Sequence, residues 1–534
     1  MNAPSCGRSD KGVSVERMRV NQLKVGTALS YLQMGLFVLV SLLYTPLLVG
    51  ILGENEYGLY QSVSSTIGML SILNLGFSSA YIRFCTVYRS KNDAEAIHRL
   101  NGLFMMAFLI IGLVAFVCGM ILTLNLKALF DDGFTAAEYN TARVLMILLT
   151  VNLATSFPMS VFSVIIVSHE RFVFLKLIDI AATIVGPIIT FLLLSIGFRT
   201  ITMCVVSVSV SFITSTIYMI YTFAVMGEKF VFRKPEKEVL SSLFSYTFFI
   251  ALNMIVDQIN WNVDKIVIGR FRGTAEVTVY SLGYTIYSMY MKVSLAVSSV
   301  FTPKIHRIIN ATKENLEQQK SELTSLFSKV GRIQFMVLGL LASGFVFFGR
   351  VFVSEVWMKK GYDNSYYVAL ILILSATVPL IQNIGIEIQR AQNKHQFRAI
   401  AYTIMAAINL VLSVFLCKKY GAVGSTIGTA VSLIVANGLL INIYYHRCCN
   451  VNVIAFWKEI ARISVGLILP VTAGVLLLKL VRLESTLQFC ICVGLYSCVY
   501  GISIWNFGMN SFEKDLLKRP LNRLLRRPAM KSQE

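Results

Sequence analysis

Charge is what this chain most lacks. Only 14% of its 534 residues are Asp, Glu, Lys or Arg, while 56% are hydrophobic and the mean hydropathy is +0.68. A soluble domain carries about a quarter charged residues to keep its surface solvated, so a water-soluble enzyme or binding module is excluded. The ten cysteines form no C-x-x-C pair and no set with histidine at zinc spacing, which argues against a metal or disulfide framework. Cys118, Cys204, Cys490 and Cys492 sit inside apolar runs, where a thiol behaves as a small hydrophobe. No G-x-x-x-x-G-K-[ST] phosphate loop occurs, so nucleotide hydrolysis by that device is excluded and no cofactor is expected. Residues 1–24 hold five basic side chains and no apolar core; they are expected as a cytoplasmic lead-in and not a cleavable signal.

Apolar runs fill the rest. One bilayer crossing takes about 20 mostly apolar residues. Fourteen runs of that length occur, the first at 27–49 and the last at 487–507. The fold expected is an all-α polytopic membrane protein with about fourteen transmembrane helices. The net charge of +20 does not imply nucleic acid as a partner, because Lys and Arg gather in cytoplasmic loops. With the N-terminus inside, the inner segments hold 34 basic residues and the outer ones 12. A miscounted span would invert every later loop and erase this bias, so both termini are expected in the cytoplasm. The inner loop 302–332 reads as an amphipathic segment on the membrane face, and the tail, with Arg519, Arg523, Arg526 and Arg527, as an anchor to anionic lipid.

The chain also repeats itself. Gly53-x-x-Glu56-x-x-x-Tyr60 follows the first span, and Gly273-x-x-Glu276-x-x-x-Tyr280 follows the seventh. Arg171-x-x-Phe174 and Lys394-x-x-Phe397 form a second echo at nearly the same offset. Two six-helix halves are therefore expected, at 25–226 and 240–446, followed by helices 13 and 14 within 460–507 and a basic tail at 508–534. Six helices separate the echoes, so both halves enter from one side, as in a parallel repeat whose substrate site lies between the halves.

At this point the chain resembles the polysaccharide (O-antigen type) flippases of the multidrug/oligosaccharidyl-lipid/polysaccharide exporter superfamily. The likeness rests on the span plan, on Leu52-Gly53-Glu54-Asn55-Glu56-Tyr57-Gly58-Leu59-Tyr60, and on Leu73-x-Leu75-Gly76. It implies a V-shaped bundle with a central cavity that moves undecaprenyl-diphosphate-linked sugar repeats outward across a bacterial cytoplasmic membrane. It also implies partners: the lipid-linked oligosaccharide, membrane lipids, a proton or sodium ion, and polysaccharide polymerase and assembly proteins.

Polar residues inside spans are the candidate site. A charge at mid-bilayer costs at least about 2.5–3.5 kcal/mol and must face a cavity or a partner. In span 7, Asn253, Asp257, Asn260, Trp261 and Asp264 form one helical stripe, read either as cavity wall or as interhelical hydrogen bonding. Asp257 is the candidate ion-coupling group. Lys292 lies deep in span 8, facing a cavity or pairing with Asp257; a cavity ammonium would suit a diphosphate. Tyr280, Tyr284 and Tyr287 share a stripe that could stack on sugar rings or pack. Glu387 and Arg390 are an interfacial pair or a gate, and Arg83 is interfacial or meets an entering headgroup. Lys265 and Arg270 are expected to snorkel at the outer end.

Two other functions are weighed. A cation-coupled drug exporter of the same superfamily would need an acidic pocket in the first half, where carboxylates such as Asp179 are few. A membrane polymerase or ligase would need a large outer loop with paired carboxylates, and none is present in this plan.

Overall fold

The computed structural model describes residues 11–233, 262–358, 361–392, 396–481 and 485–516, together with Thr247, Ala251, Met254, Gln258, Lys394 and Lys518. Among these the chain is helical throughout and holds no strand. Eleven described segments are long and apolar enough to cross a bilayer. Lys24–Leu52, Glu54–Ser90, Ala94–Leu124, Ala136–Ser168, Phe172–Ser195 and Thr200–Val225 stand where spans 1–6 were expected. Leu316–Trp357, Asp363–Ile381, Val453–Leu480 and Thr486–Gly508 stand at spans 9, 10, 13 and 14. Gln396–Cys448 covers spans 11 and 12, parted at Gly421, where φ is +61°. The helix Thr274–Ser299 takes the place of span 8, and most of span 7 lies outside the described residues.

This is a multi-pass membrane protein. Ile110 and Leu113 are 60% and 64% exposed on the outside of the helix Ala94–Leu124, a disposition that hydrocarbon solvates and water does not. Lipid tails are as apolar as the side chains, so close packing and hydrogen bonds, not apolar burial, hold the helices together. Pro158 illustrates this. Lacking an N–H, it frees the Ala154 carbonyl one turn back; Gly112 of the neighbouring helix lies against that carbonyl, where a Cβ would come within 2.5 Å. Pro379 occupies the matching place in the helix Asp363–Ile381. There the freed region ends in a break at Gln382 and Asn383, whose amides are tied to Asn442 Oδ1 at 3.0 Å and Ser298 Oγ at 3.2 Å.

Span 2 is broken. The helix Glu54–Met69 tightens over Leu70–Asn74, then Leu75 (φ 47°) and Gly76 (φ 74°) turn left-handed before the helix Phe77–Ser90 resumes. The break falls on the Leu73-x-Leu75-Gly76 motif, and two consecutive left-handed residues cannot continue a right-handed helix. A broken helix at membrane depth leaves backbone groups that must face protein or a cavity.

By contacts the chain divides into two compact units, residues 1–282 with 402–428, and 283–401 with 429–534. The division cuts across the sequence halves, because residues 262–282 and 402–428 group with the first. The core of the first unit is aromatic, with Tyr81, Phe104 and Phe108 packed edge-on through Phe77 and Phe104. In the second unit, Phe327 packs on Phe456 and Tyr445.

Candidate functional site

The two echoing turns meet at one end of the first unit. Gly58 lies so close to the turn at Thr274 that a Cβ there would sit 1.8 Å from the Thr274 carbonyl oxygen. Only glycine permits that approach. Thr278 Oγ1 donates to the Glu54 carbonyl at 2.6 Å, and Thr274 Oγ1 donates to Glu138 Oε1 at 2.6 Å. Glu138 is held in turn by a reciprocal cap with Thr135, whose N–H donates to Oε2 at 2.7 Å. Arg270 closes the same face, donating to the Ala128 carbonyl at 3.2 Å and lying 3.6 Å from Asp131. This end of the unit is therefore closed by backbone contact, hydroxyl donors and the Arg270–Asp131 pair.

Each echoing glutamate serves the start of a later helix. Glu56 accepts from Thr200 Oγ1 at 2.7 Å and pairs with Arg199 at 3.1 Å, at the head of the helix Thr200–Ile220. Glu276 accepts from the Ala422 N–H at 3.0 Å, where the helix restarts after Gly421. Both carboxylates sit at the positive end of a helix dipole. The second echo has a counterpart too. Phe174 stacks on Tyr221 with centroids 3.8 Å apart, and Phe397 stacks on Tyr444 at 4.4 Å.

At the opposite end of the first unit the chain leaving Thr200–Val225 is strapped to its neighbours. Tyr81 donates to Asn101 Oδ1 at 2.5 Å, Asn101 Nδ2 donates to Glu228 Oε2 at 3.0 Å, and His169 Nε2 lies 2.9 Å from Glu228 Oε1. Burial pushes the Glu228 carboxyl up, but the hydrogen bond and charge of His169, with the Asn101 amide, outweigh it and hold the group below its ordinary range. The Val231 N–H donates to the His98 carbonyl, completing the strap.

The sequence-derived candidates fall into three groups. Asn253, Asp257, Asn260 and Trp261 lie outside the described residues. Asp264, expected on a cavity wall, is 1% exposed and accepts from Ser425 Oγ at 2.7 Å and Tyr280 Oη at 2.9 Å; it joins three helices in their packing. Tyr280 is thereby a packing residue as well. Lys265, expected to snorkel, donates its ammonium to Gln61 Oε1 at 2.9 Å. Asp179 is likewise taken, by Tyr218 Oη at 2.6 Å and Lys176 at 3.6 Å.

The remaining candidates keep an accessible side. On the helix Thr274–Ser299, Tyr284 packs edge-on against Tyr287 at 5.7 Å, Tyr287 is nearly buried, and Lys292 is half-buried. Glu387 and Arg390 form an ion pair at 2.8 Å on the helix Ile384–Ala391, with the guanidinium largely exposed. Arg83 is exposed on the helix Phe77–Ser90, nearly two turns before the Arg89 that donates to the Ser168 carbonyl.

Sequence reasoning missed the most buried charge cluster in the second unit. Arg332, 3% exposed, makes a forked pair with Glu513 at 2.6 and 2.9 Å and reaches Glu459 at 2.9 Å and the Gly508 carbonyl at 2.8 Å. It locks span 9 to the helices that follow it. By count Arg332 was one more basic residue of an inner loop, and nothing local distinguishes it from a solvated arginine.

Over 207 residues the chain is 26% identical to a protein named as a low-salt glycan biosynthesis flippase of Haloferax volcanii, covering 38% of this chain and 42% of that relative. It is 20% identical over 414 residues to one named as an O-antigen transporter of Shigella flexneri, covering 75% of this chain and 92% of that one. Its fold is that of the lipid II flippase MurJ in an inward closed conformation (TM-score 0.69, 15% identity, 93% of this chain and 100% of that one). A multidrug-resistance MATE transporter of the MOP superfamily follows less completely, at TM-score 0.57 with 14% identity, over 82% of this chain and 99% of that one. A family model described as polysaccharide biosynthesis protein matches residues 25–309, more than half the chain and most of the geometry above, and the chain belongs to that family.

Proposed function

We propose that this protein is a secondary-type flippase that carries an oligosaccharide linked to undecaprenyl diphosphate across a bacterial cytoplasmic membrane for surface polysaccharide assembly. Membership of the polysaccharide biosynthesis family carries the reading. Relatives named for O-antigen transport and glycan flipping support it. In this reading both termini and the loop 302–332 face the cytoplasm, and the sealed Gly58–Thr274 end faces outward. Lys292 supplies positive potential to the diphosphate, Tyr284 and Tyr287 border the path taken by the sugars, and Arg83 meets the headgroup on entry. Asn253, Asp257 and Asn260 complete the wall, and Asp257 or the Glu387–Arg390 pair couples an ion. One elementary charge crossing 100 mV is worth about 2.3 kcal/mol, enough to bias a cycle that hydrolyses nothing. Polymerase and assembly proteins take the product outside.

The likeness to a multidrug transporter favours one second reading, a cation-coupled exporter of drugs or other small molecules. The two part in a deletion strain. Flippase loss should make lipid-linked repeats accumulate on the cytoplasmic leaflet while assembly continues. Normal surface polysaccharide in a deletion strain with no redundant flippase refutes the flippase reading, and drug sensitivity there would establish the exporter.

A further inference from the structure

A basic groove lies beyond the inner end of the helix Thr274–Ser299 and takes no part in the path just described. After Phe301, whose backbone stays near helical values, the chain enters the short helix Thr302–Ala311. Ile305 and Ile309 are buried on one side of it, which packs on the helix Ile384–Ala391 and the start of Leu316–Val351. The other side carries Lys304, Arg307 and Ala311 at three- and four-residue spacing, so they share one face, and Val300 stands in the turn before the helix. With Pro303, Ile308 and Glu322 they line an open groove of ≈ 540 Å³.

The lining has two characters at once. Val300 is 60% exposed, and Leu295, 47% exposed, lies on the helix that leads to the groove, so exposed apolar side chains accompany the basic ones. Lys304 and Arg307 are exposed, and neither makes an ion pair among the described residues. Glu322, the carboxylate in the lining, is already engaged by Gln318 Nε2 at 2.9 Å. A net positive rim over an apolar floor suits an anion attached to a hydrocarbon chain. Inorganic phosphate would gain nothing from Val300 and Pro303, whereas a lipid-borne anion uses the apolar floor as well as the charges. The deeper ammonium, Lys292, lies on the helix Thr274–Ser299, which ends at the groove.

We infer that Lys304 and Arg307 form a landing site for the phosphates of a polyprenyl diphosphate lipid in the inner leaflet, which is engaged here before its headgroup passes toward Lys292. This rests on the flippase reading. Arg307 grips two phosphate oxygens with its planar fork, Lys304 adds a point charge, and the prenyl chain leaves past Val300.

The test is binding of undecaprenyl diphosphate, without sugar, to the purified full-length protein in nanodiscs of neutral lipid. Each basic residue near a membrane surface contributes enough that removing both in Lys304→Ala/Arg307→Ala should weaken binding about 30-fold, with the loss shrinking as salt is raised. Lys304→Arg should keep most of the affinity, Arg307→Lys should lose part of it, and Glu322→Gln should increase it. Unchanged binding by the double alanine variant, at an unfolding temperature equal to wild type, overturns the site. So does equal, groove-dependent retention of phosphatidylglycerol, which would make the groove a bulk-lipid contact. The deletion strain answers the other question separately: lost surface polysaccharide with unchanged double-variant binding sinks the groove and leaves the flippase, whereas intact polysaccharide sinks the flippase, and with it the landing role, however well the groove binds.

Discussion

Gly58→Ala tests whether the sealed end opens. The added Cβ would sit 1.8 Å from the Thr274 carbonyl oxygen, and ordinary contact begins at 3.4 Å, so the turn must retreat by about 1.6 Å. A retreat of that size breaks the Thr278–Glu54 and Thr274–Glu138 hydrogen bonds. Overpacking costs about 1–3 kcal/mol and each lost bond about 0.5–1.5 kcal/mol, a total of roughly 2–6 kcal/mol. If the contact exists only in the closed state, the whole penalty falls on that state and shifts the balance toward opening by at least about 30-fold. Ser62 is fully buried one turn below Gly58 and reports the seal. In a cysteine-depleted background, Ser62→Cys should resist a membrane-impermeant maleimide added outside, and Gly58→Ala should make it react at least about tenfold faster. Unchanged protection with a lowered unfolding temperature would mean a permanent joint and would refute the gate. Unchanged protection with unchanged stability would refute the geometry itself.

Three further outcomes follow from other parts of the molecule. Arg332→Leu strands Glu513, itself 2% exposed on its side chain, and should lower stability by about 3–5 kcal/mol in thermal unfolding, whereas Arg332→Leu/Glu513→Leu should recover part of it; no recovery would contradict a paired cluster. Glu228 has a carboxyl held below its ordinary range, so its stabilisation is present above the ordinary carboxyl value of 4.5 and is lost as the pH falls through the lower folded value; Glu228→Gln should remove that acid-side loss from the unfolding profile, and an unaltered profile would show that the strap does not depend on the charge. Lys292→Ala should reduce export at normal abundance by about tenfold or more, since a hydrogen bond to a charged group contributes about 1.5–3 kcal/mol, while Lys292→Arg keeps part of it; full export by an abundant Lys292→Ala protein removes its role.

The helices were legible because apolar length is a one-dimensional property. The apolar runs fell where the described spans stand, and the two echoes marked contacts that do recur. Side-chain roles were less legible, for a physical reason. A polar residue in a span needs a partner, but the partner's distance along the chain is unconstrained. Asp264 finds Ser425 and Arg332 finds Glu513, separated by 161 and 181 residues, and no local pattern names either. Lys265 was read as a snorkelling lysine because Gln61, 204 residues away, could not be placed beside it.

The echoes themselves acquire a meaning that their spelling did not carry. Gly53-x-x-Glu56 and Gly273-x-x-Glu276 differ at most intervening positions, and the groups their carboxylates bind differ as well, a hydroxyl and a guanidinium in one case and a backbone N–H in the other. What recurs is an acid held against the first turn of the last helix of each half. That requirement is electrostatic: a helix N-terminus presents unpaired N–H groups and a partial positive charge, and a carboxylate delivered from a distant turn answers the charge in both copies and an N–H in the second. The same turns must also approach each other as backbones, which is why Gly58 faces the Thr274 carbonyl where the second copy carries Thr278. A duplicated segment that kept its cap but gave one copy the glycine and the other the threonine has become two complementary surfaces. That asymmetry lets one turn lie in the other and still donate the Thr278–Glu54 hydrogen bond across the contact.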